Sequence, residues 1–355
     1  MPQLFDPLSL RGITLPNRIG VSPMCEYSSE DGFASDWHLV HLGSRAVGGA
    51  GLVMSEATAV EDRGRITLGD LGIWKDAHIE PLARIVRFIE AHGAVPGMQL
   101  AHAGRKASSA IPWDGGRGLS PMEGGWEPIA PSALAFSPQS ILPRAMNESD
   151  IRSVKEAFVA ATLRARGAGY RWLELHFAHG YLGHSFLSPL SNVREDQYGG
   201  SFENRVRFVL ETTRAVRAVW PEHLPLSARL SCTDWAEGGW TAEDSVALSK
   251  HLRAEGVDLV DCSSGGLVTH QRIPTTPGYQ VPFAKQIRAE AGIPTAAVGL
   301  ITDAAQADAI IHAGEADLIL LARAMLRDPY WPLHAALELG QPDRRRIPKQ
   351  YLRAF

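Results

Sequence analysis

Two imidazoles and a phenol stand close together at the end of one apolar run. They are His176, His179 and Tyr181 in "LELHFAHGYLGHSF" (173–186). Three chemistries fit that set. It can ligate a metal, it can serve as a base for a nucleophile, or it can grip an oxygen that gains charge. A metal site needs further ligands at neighbouring strand ends, and His102 is the one histidine placed to join. In the third reading the imidazoles are donors. Tyr181, with an ordinary phenol pKa of ~10, then keeps a proton that it can give up. Residues three apart on a straight strand face opposite ways, so the strand must end or bulge between the histidines, and Gly180 eases that break.

Other polar residues recur at the ends of apolar runs: Cys25, Glu56 and Thr58, Gln99 with His102, Arg229, Ser263 and Ser264, Gly299 and Arg323. Arg229 sits inside "LPLSARLS". It needs either a bound anion or an ion pair with an acid such as Glu174 or Asp261. Gln99 offers a donor and an acceptor to the edge of a heterocycle, or is a satisfied amide in a packed layer. "AVGLITDA" and "LLARAMLRDP" suit a phosphate. Gly299 permits close approach, a helix opens at Thr302 or Asp303, and Arg323 adds charge.

The elements that must hold these residues alternate. Strands are expected at 18–23, 51–60, 95–102, 171–179, 224–231, 258–265, 293–300 and 317–324. All are rich in Val, Ile and Leu without alternation, as in parallel strands buried on both faces. Amphipathic stretches lie between them, such as "TAEDSVALSKHLRAEG", with a Thr cap, early acids, late bases and a final Gly. Eight such units predict an α/β (β/α)8 TIM barrel with an N-terminal cap. A doubly wound sheet competes, but no GxGxxG follows any strand. The chain reads as one unit over 1–355, with a capping loop at 103–147 and a tail at 340–355. So long a loop, rich in Gly, Pro and Ser, suits a cover over a site.

Composition narrows the classes. The chain has 355 residues, is 45% hydrophobic, and carries a net charge of -4. That balance argues against a nucleic-acid partner. No apolar run reaches the ~18 residues of a membrane span, and no signal peptide is expected. Three scattered cysteines argue against a disulfide framework or an iron–sulfur cluster. These readings predict a cytoplasmic protein.

Several motifs together resemble the Old Yellow Enzyme family of flavin-dependent ene-reductases, and within it the bacterial thermophilic-like branch that includes xenobiotic reductase. They are "LFDPLSLRGITLPNRIGVSPMCEYS", "EATAV…GRIT", "QLAHAGRKAS", "ELHFAHGYLGHSFLSPLSNVREDQYGGSFENR", "LARAMLRDPYWPLHAALELG" and "QYLRAF". The resemblance implies one non-covalent FMN over the barrel mouth, with NADPH or NADH as a visiting hydride donor. It implies that Pro23, Met24 and Cys25 line the flavin, and that Ala57, Gln99 and Arg229 meet its ring edge. Gly299, Ala322 and Arg323 would take the phosphate. His176 and His179 would bind the substrate's activating oxygen, with Tyr181 as proton donor to Cα after hydride reaches Cβ. Tyr27 and Lys106 would contact substrate. Arg353 would enter a neighbouring subunit's site in a homodimer or homotetramer. The implied substrates are enones, enals, nitroalkenes and maleimides. Relatives usually carry Gly-Arg at the end of the eighth strand, whereas this chain has Ala322-Arg323, so the phosphate contacts there are the point of departure.

Overall fold

The computed structural model describes residues 2–341, 343 and 347–354. Residue 1, part of the expected tail (342 and 344–346) and residue 355 lie outside the described residues. The strands, in chain order, are β1 (Leu8–Leu10), β2 (Ile13–Leu15), β3 (Ile19–Val21), β4 (Leu52–Ala59), β5 (Val95–Ala101), β6 (Ile129–Ala130), β7 (Arg144–Ala145), β8 (Trp172–Phe177), β9 (Leu226–Ser231), β10 (Leu259–Ser263), β11 (Thr295–Ala297) and β12 (Leu318–Leu321). The helices are α1 (Asp36–Val47), α2 (Ile79–Ala91), α3 (Glu148–Gly167), α4 (Leu182–Leu187), α5 (Phe202–Val219), α6 (Ala242–Ala254), α7 (Val281–Ala291), α8 (Ala304–His312), α9 (Arg323–Arg327) and α10 (Trp331–Glu338).

β3, β4, β5 and β8 to β12 close into one barrel with every pairing parallel. These are the eight expected strands. The expected (β/α)8 barrel is therefore the fold. β4 is buried at every position, which is why the strand reads as an apolar run. β4 also carries a register shift between Met54 and Ala57. Glu56, inside that shift, sets one carboxylate oxygen 3.3 Å from His38 of α1 and accepts with the other from Glu26 N at 3.1 Å, in the segment that follows β3.

Capping chemistry opens the helices where donors lack partners. Thr241 Oγ1 accepts from Asp244 N at 3.1 Å, and the Asp244 carboxylate accepts from Thr241 N at 3.1 Å. Asp303, rather than Thr302, caps α8 by accepting from Gln306 N at 2.9 Å. The β1–β2 hairpin forms the N-terminal cap on the far side from the strand ends. There Arg11 Nε meets Asp258 Oδ1 at 2.6 Å, just ahead of β10.

The loop 103–147 holds three short 3-10 turns and the β6–β7 pair. It folds back on the barrel. The Trp126 indole donates to Arg63 O at 2.8 Å, and the Arg65 guanidinium lies over the Trp126 and Trp74 rings. Trp113, 68% exposed, sets its ring edge-on to Tyr27 at 5.9 Å.

Candidate active site

β8 ends at Phe177, and the chain turns at once. His179 takes a left-handed φ of 60° and Gly180 one of 73°, which swings the second histidine to the side of the first. The ring centroids of His176 and His179 are 5.1 Å apart, and those of His176 and Tyr181 are 5.2 Å apart. Burial, and then the charge of Arg229, push both imidazoles well below the usual histidine range. Both are neutral near pH 7, each with one N–H to donate. His179 Nε2 shares a hydrogen bond with Ser263 Oγ at 2.7 Å. His176 Nδ1 is buried and has no partner among the described residues. Burial pushes the Tyr181 phenol well above its ordinary value, so it holds its proton.

Sequence reading missed what pins this turn. His184 Nδ1 accepts from Gly180 N at 2.9 Å, and His184 Nε2 faces Asp234 Oδ1 at 2.8 Å. Both side chains are fully buried. Asp234 Oδ2 also accepts from Ser188 Oγ and Trp240 N, at 2.6 and 2.7 Å. The carboxylate fixes the tautomer, which leaves the lone pair for Gly180.

Register places the other side chains. Ala57 is beside Gln99, Gln99 beside Glu174, His176 beside Arg229, and Arg229 beside Asp261. Arg229 Nε lies 3.0 Å from Asp261 Oδ2, and its Nη1 donates to Ser22 Oγ at 3.1 Å. The ion pair weighed from sequence therefore exists, with Asp261 as the acid. Glu174 instead accepts from Gln99 Nε2 at 2.9 Å and from Ser227 Oγ at 3.0 Å. Burial raises both carboxyls, and Asp261's charge adds to the rise at Glu174. Arg229 also borders a cavity of about 250 Å³ beside β11 and β12.

That cavity is lined by Ser263, Gln280, Gly299, Ala322, Arg323 and Arg327, among others. Gly299 has φ 116°, and a Cβ there would lie 2.6 Å from Gln280 Nε2. Gln280 is held in turn, accepting from Ser264 Oγ at 2.6 Å and donating to Val298 O at 2.9 Å. Arg323 and Arg327 are one helical turn apart on α9, a spacing that puts both on one face. Neither side chain forms a hydrogen bond or ion pair with another described residue, so both guanidinium groups suit a bound anion. Ala322 has φ -103°, so its methyl fits without left-handed strain. Arg327 lies in the quoted "LLARAMLRDP" but was not singled out, and Gln280 was not foreseen because it lies in no recognisable strand-end motif.

Pro23, Met24 and Cys25 follow β3 and are half-buried. Burial, then the charge of Glu56, push the Cys25 thiol well above its usual range, so it is not a thiolate. Tyr27, with a left-handed φ of 49°, hydrogen-bonds to that thiol. Lys106 is not free. Its ammonium donates to His179 O at 2.7 Å and to Gly266 O, over the Phe136 ring at 4.1 Å. It staples the loops after β8 and β10, and burial brings its pKa down to about 7. His102, the third histidine weighed for a metal, is bonded to Glu61 Oε1 at 2.8 Å and accepts from Gly104 N. Among the described residues, no group of three or more His, Cys, Asp and Glu side chains is arranged to hold a metal ion. Arg353 is exposed and makes no hydrogen bond or ion pair with a described residue of its own chain.

The donor set thus suits a phosphate at one side of the mouth and a planar polar ring across it. Comparisons agree with that fit. The model of the NADH:flavin oxidoreductase / NADH oxidase family matches residues 3–341. The NADPH dehydrogenase of Geobacillus thermodenitrificans is 49% identical over 354 residues, covering 99% of this chain and 98% of its own. That of Listeria innocua is 46% identical over 357 residues, with both chains fully covered. Morphinone reductase superposes with a TM-score of 0.79 at 28% identity, over 98% of this chain and 93% of its own. The old yellow enzyme homologue of Zymomonas mobilis shares the fold, with a TM-score of 0.76 at 24% identity. The chain belongs to the NADH:flavin oxidoreductase / NADH oxidase family, of the Old Yellow Enzyme type, as an oxidoreductase that uses FMN and a nicotinamide donor.

Proposed function

We propose that this chain, as one FMN-binding unit, is an ene-reductase for alkenes activated by a carbonyl or nitro group: enones, enals, nitroalkenes and maleimides. The observation that carries the reading is the His176–His179–Tyr181 cluster at the mouth. It sets two neutral donors beside one protonated phenol. Arg323, Arg327, Gln280 and the backbone at Gly299 would hold the phosphate. Ala57, Gln99 and Arg229 would meet the ring edge, with Pro23, Met24 and Cys25 against its face. Bound FMN would supply the two-electron hydride chemistry between the nicotinamide and the alkene carbon β to the activating group.

The chain's own groups do the rest. His176 and His179 hold the activating oxygen and stabilise the negative charge that grows there. Tyr181 gives its proton to Cα. Tyr27 shapes the substrate's side of the mouth, and Lys106 fixes the loop that carries His179. Arg353 would complete a neighbouring subunit's site in a homodimer or homotetramer. Removing residues 353–355 should then raise KM and alter the oligomer seen by light scattering; no change in either would end that role. No helix among the described residues is long and apolar enough to cross a membrane, and we place the protein in the cytoplasm.

The purified protein should be yellow, bleach under anaerobic NADPH, and regain colour when 2-cyclohexenone is added. If no activated alkene restores the colour, the assignment is wrong. Tyr181→Phe should slow that second phase by ~10² to 10⁴-fold and leave bleaching by NADPH unchanged. Gly299→Ala, strained at its φ and crowding Gln280, should weaken FMN by about tenfold or more. Titration of the apoprotein with FMN, followed by flavin fluorescence, measures that change.

A further inference from the structure

The turn of residues 66–70, between β4 and α2, folds back under the mouth. Asp70 closes it. Its Oδ1 accepts from Thr67 N at 3.0 Å and Thr67 Oγ1 at 2.7 Å, and its Oδ2 accepts from Ile66 N at 2.6 Å. The carboxyl is 2% exposed. These three bonds account for the turn. They do not account for what lies on the carboxyl's other side.

There Asp70 borders a chamber of about 10 Å³, and Tyr181 borders the same chamber. The rest of the wall is alanine, glycine and isoleucine, Ala101 among them. About that volume accommodates a single water, provided it has polar partners. Asp70 and Tyr181 are the two side chains of the wall that can hydrogen-bond. The Tyr181 hydroxyl makes no hydrogen bond to another described residue. Cys25, Tyr27 and Asp70 all act on the Tyr181 phenol; of these Asp70 is the strongest acid and the one that shares this chamber.

We infer that Asp70 recharges Tyr181 through one water held between them. The inference rests on the ene-reductase reading. The bookkeeping is simple: the Tyr181 O–H bond breaks as a C–H bond forms at Cα. In the same step the water passes a proton to the Tyr181 oxygen, and the Asp70 carboxyl passes one to the water, so that no free phenolate is left behind. One proton enters from solvent per alkene, matching the one hydride taken from the nicotinamide. The turn that holds Asp70 lies at the surface, where Leu68 is 41% exposed, so proton entry from solvent needs only a local opening of that turn.

The electrostatics suit the task. Burial pushes the Asp70 carboxyl up to about 7, against the pull of the Thr67 and Ile66 donors. The groups facing it are Cys25 and Tyr27 after β3, Glu56 of β4, and Tyr181 ahead of α4; none of them is a cation. The proton is on Asp70 below about pH 7 and is lost above it. A step that draws on this proton is therefore fastest in mild acid and slows as pH rises through about 7.

The test is the second, alkene-driven phase of the holoenzyme in stopped flow, across pH 6 to 8 and in mixtures of H2O and D2O. The wild type should slow as pH rises and give a curved proton inventory, the mark of more than one proton in motion. Asp70→Asn should be about tenfold slower in acid, flat with pH and linear in its inventory, with NADPH bleaching unchanged. Ala101→Val fills the chamber and keeps Asp70, and should show the same flattening. A wild-type inventory that is linear overturns the relay. So does an Ala101→Val profile that matches the wild type, and that variant decides alone if Asp70→Asn loses its flavin. If no alkene drives the wild type at all, the parent function has failed, which is visible before any variant is made.

Discussion

His176→Ala should slow the alkene-driven phase by about 10²-fold, equal to roughly 3 kcal/mol of lost transition-state stabilisation. His176 is the residue to remove because its Nδ1 is buried without a partner among the described residues, whereas His179 already shares Nε2 with Ser263. A buried polar atom left unpaired is costly unless a ligand meets it. Binding of 4-hydroxybenzaldehyde, a phenol that mimics the charged oxygen, should weaken by about tenfold or more, since a hydrogen bond to a charged group contributes ~1.5–3 kcal/mol. Bleaching by NADPH should change far less. Because burial and Arg229 hold both imidazoles well below the usual histidine range, neither histidine should add an inflection between pH 6 and 8. Unaltered phenol affinity in the alanine variant would sink the oxyanion role.

Arg229→Met carries the second large effect, and it acts on the fold before it acts on the flavin. The change leaves Asp261 fully buried and without its cation. Stranding one partner of a buried pair costs ~3–5 kcal/mol. Thermal unfolding of the apoprotein should therefore fall on the order of 10 °C. The sign with pH follows from the raised Asp261 carboxyl. Without Arg229 it rises further, so the variant keeps its stability in acid and loses it as pH climbs through the folded value. Arg229→Met/Asp261→Leu removes both charges and should regain most of the lost stability. If Arg229 also meets the flavin edge, the double variant stays colourless although folded. A single variant as stable as the wild type refutes the structural part. A yellow double variant with unchanged FMN affinity refutes the functional part.

The barrel was legible because strands buried on both faces announce themselves as Val, Ile and Leu runs, and helices by their caps. The proposed catalytic cluster was legible because His176, His179 and Tyr181 sit in one unbroken segment. The ends of strands were not. "AVGL" continues apolar past Ala297, yet the ladder stops there, since Gln280 takes Val298 O and Gly299 leaves the β region. The register shift around Glu56 is a matter of pairing between strands, which one strand's residues do not encode. Asp261 was one of two acids weighed for Arg229, and only register chooses between them. His184 was in plain view in "GYLGHSF", but its partner Asp234 is distant in sequence, and neither carries a periodic signal. Lys106 was expected at the substrate, and its staple to two carbonyls depends on where two loops meet.

The edge contact between Trp113 and Tyr27 has a practical side. The opposite bank of the mouth is pinned by the His184–Asp234 pair and has little room to adjust. Trp113 is a largely bare indole on a connecting segment, so smaller side chains there open space without touching the turn after β8. Anyone wishing to admit bulkier reagents should begin at this gatepost and leave the rigid bank alone.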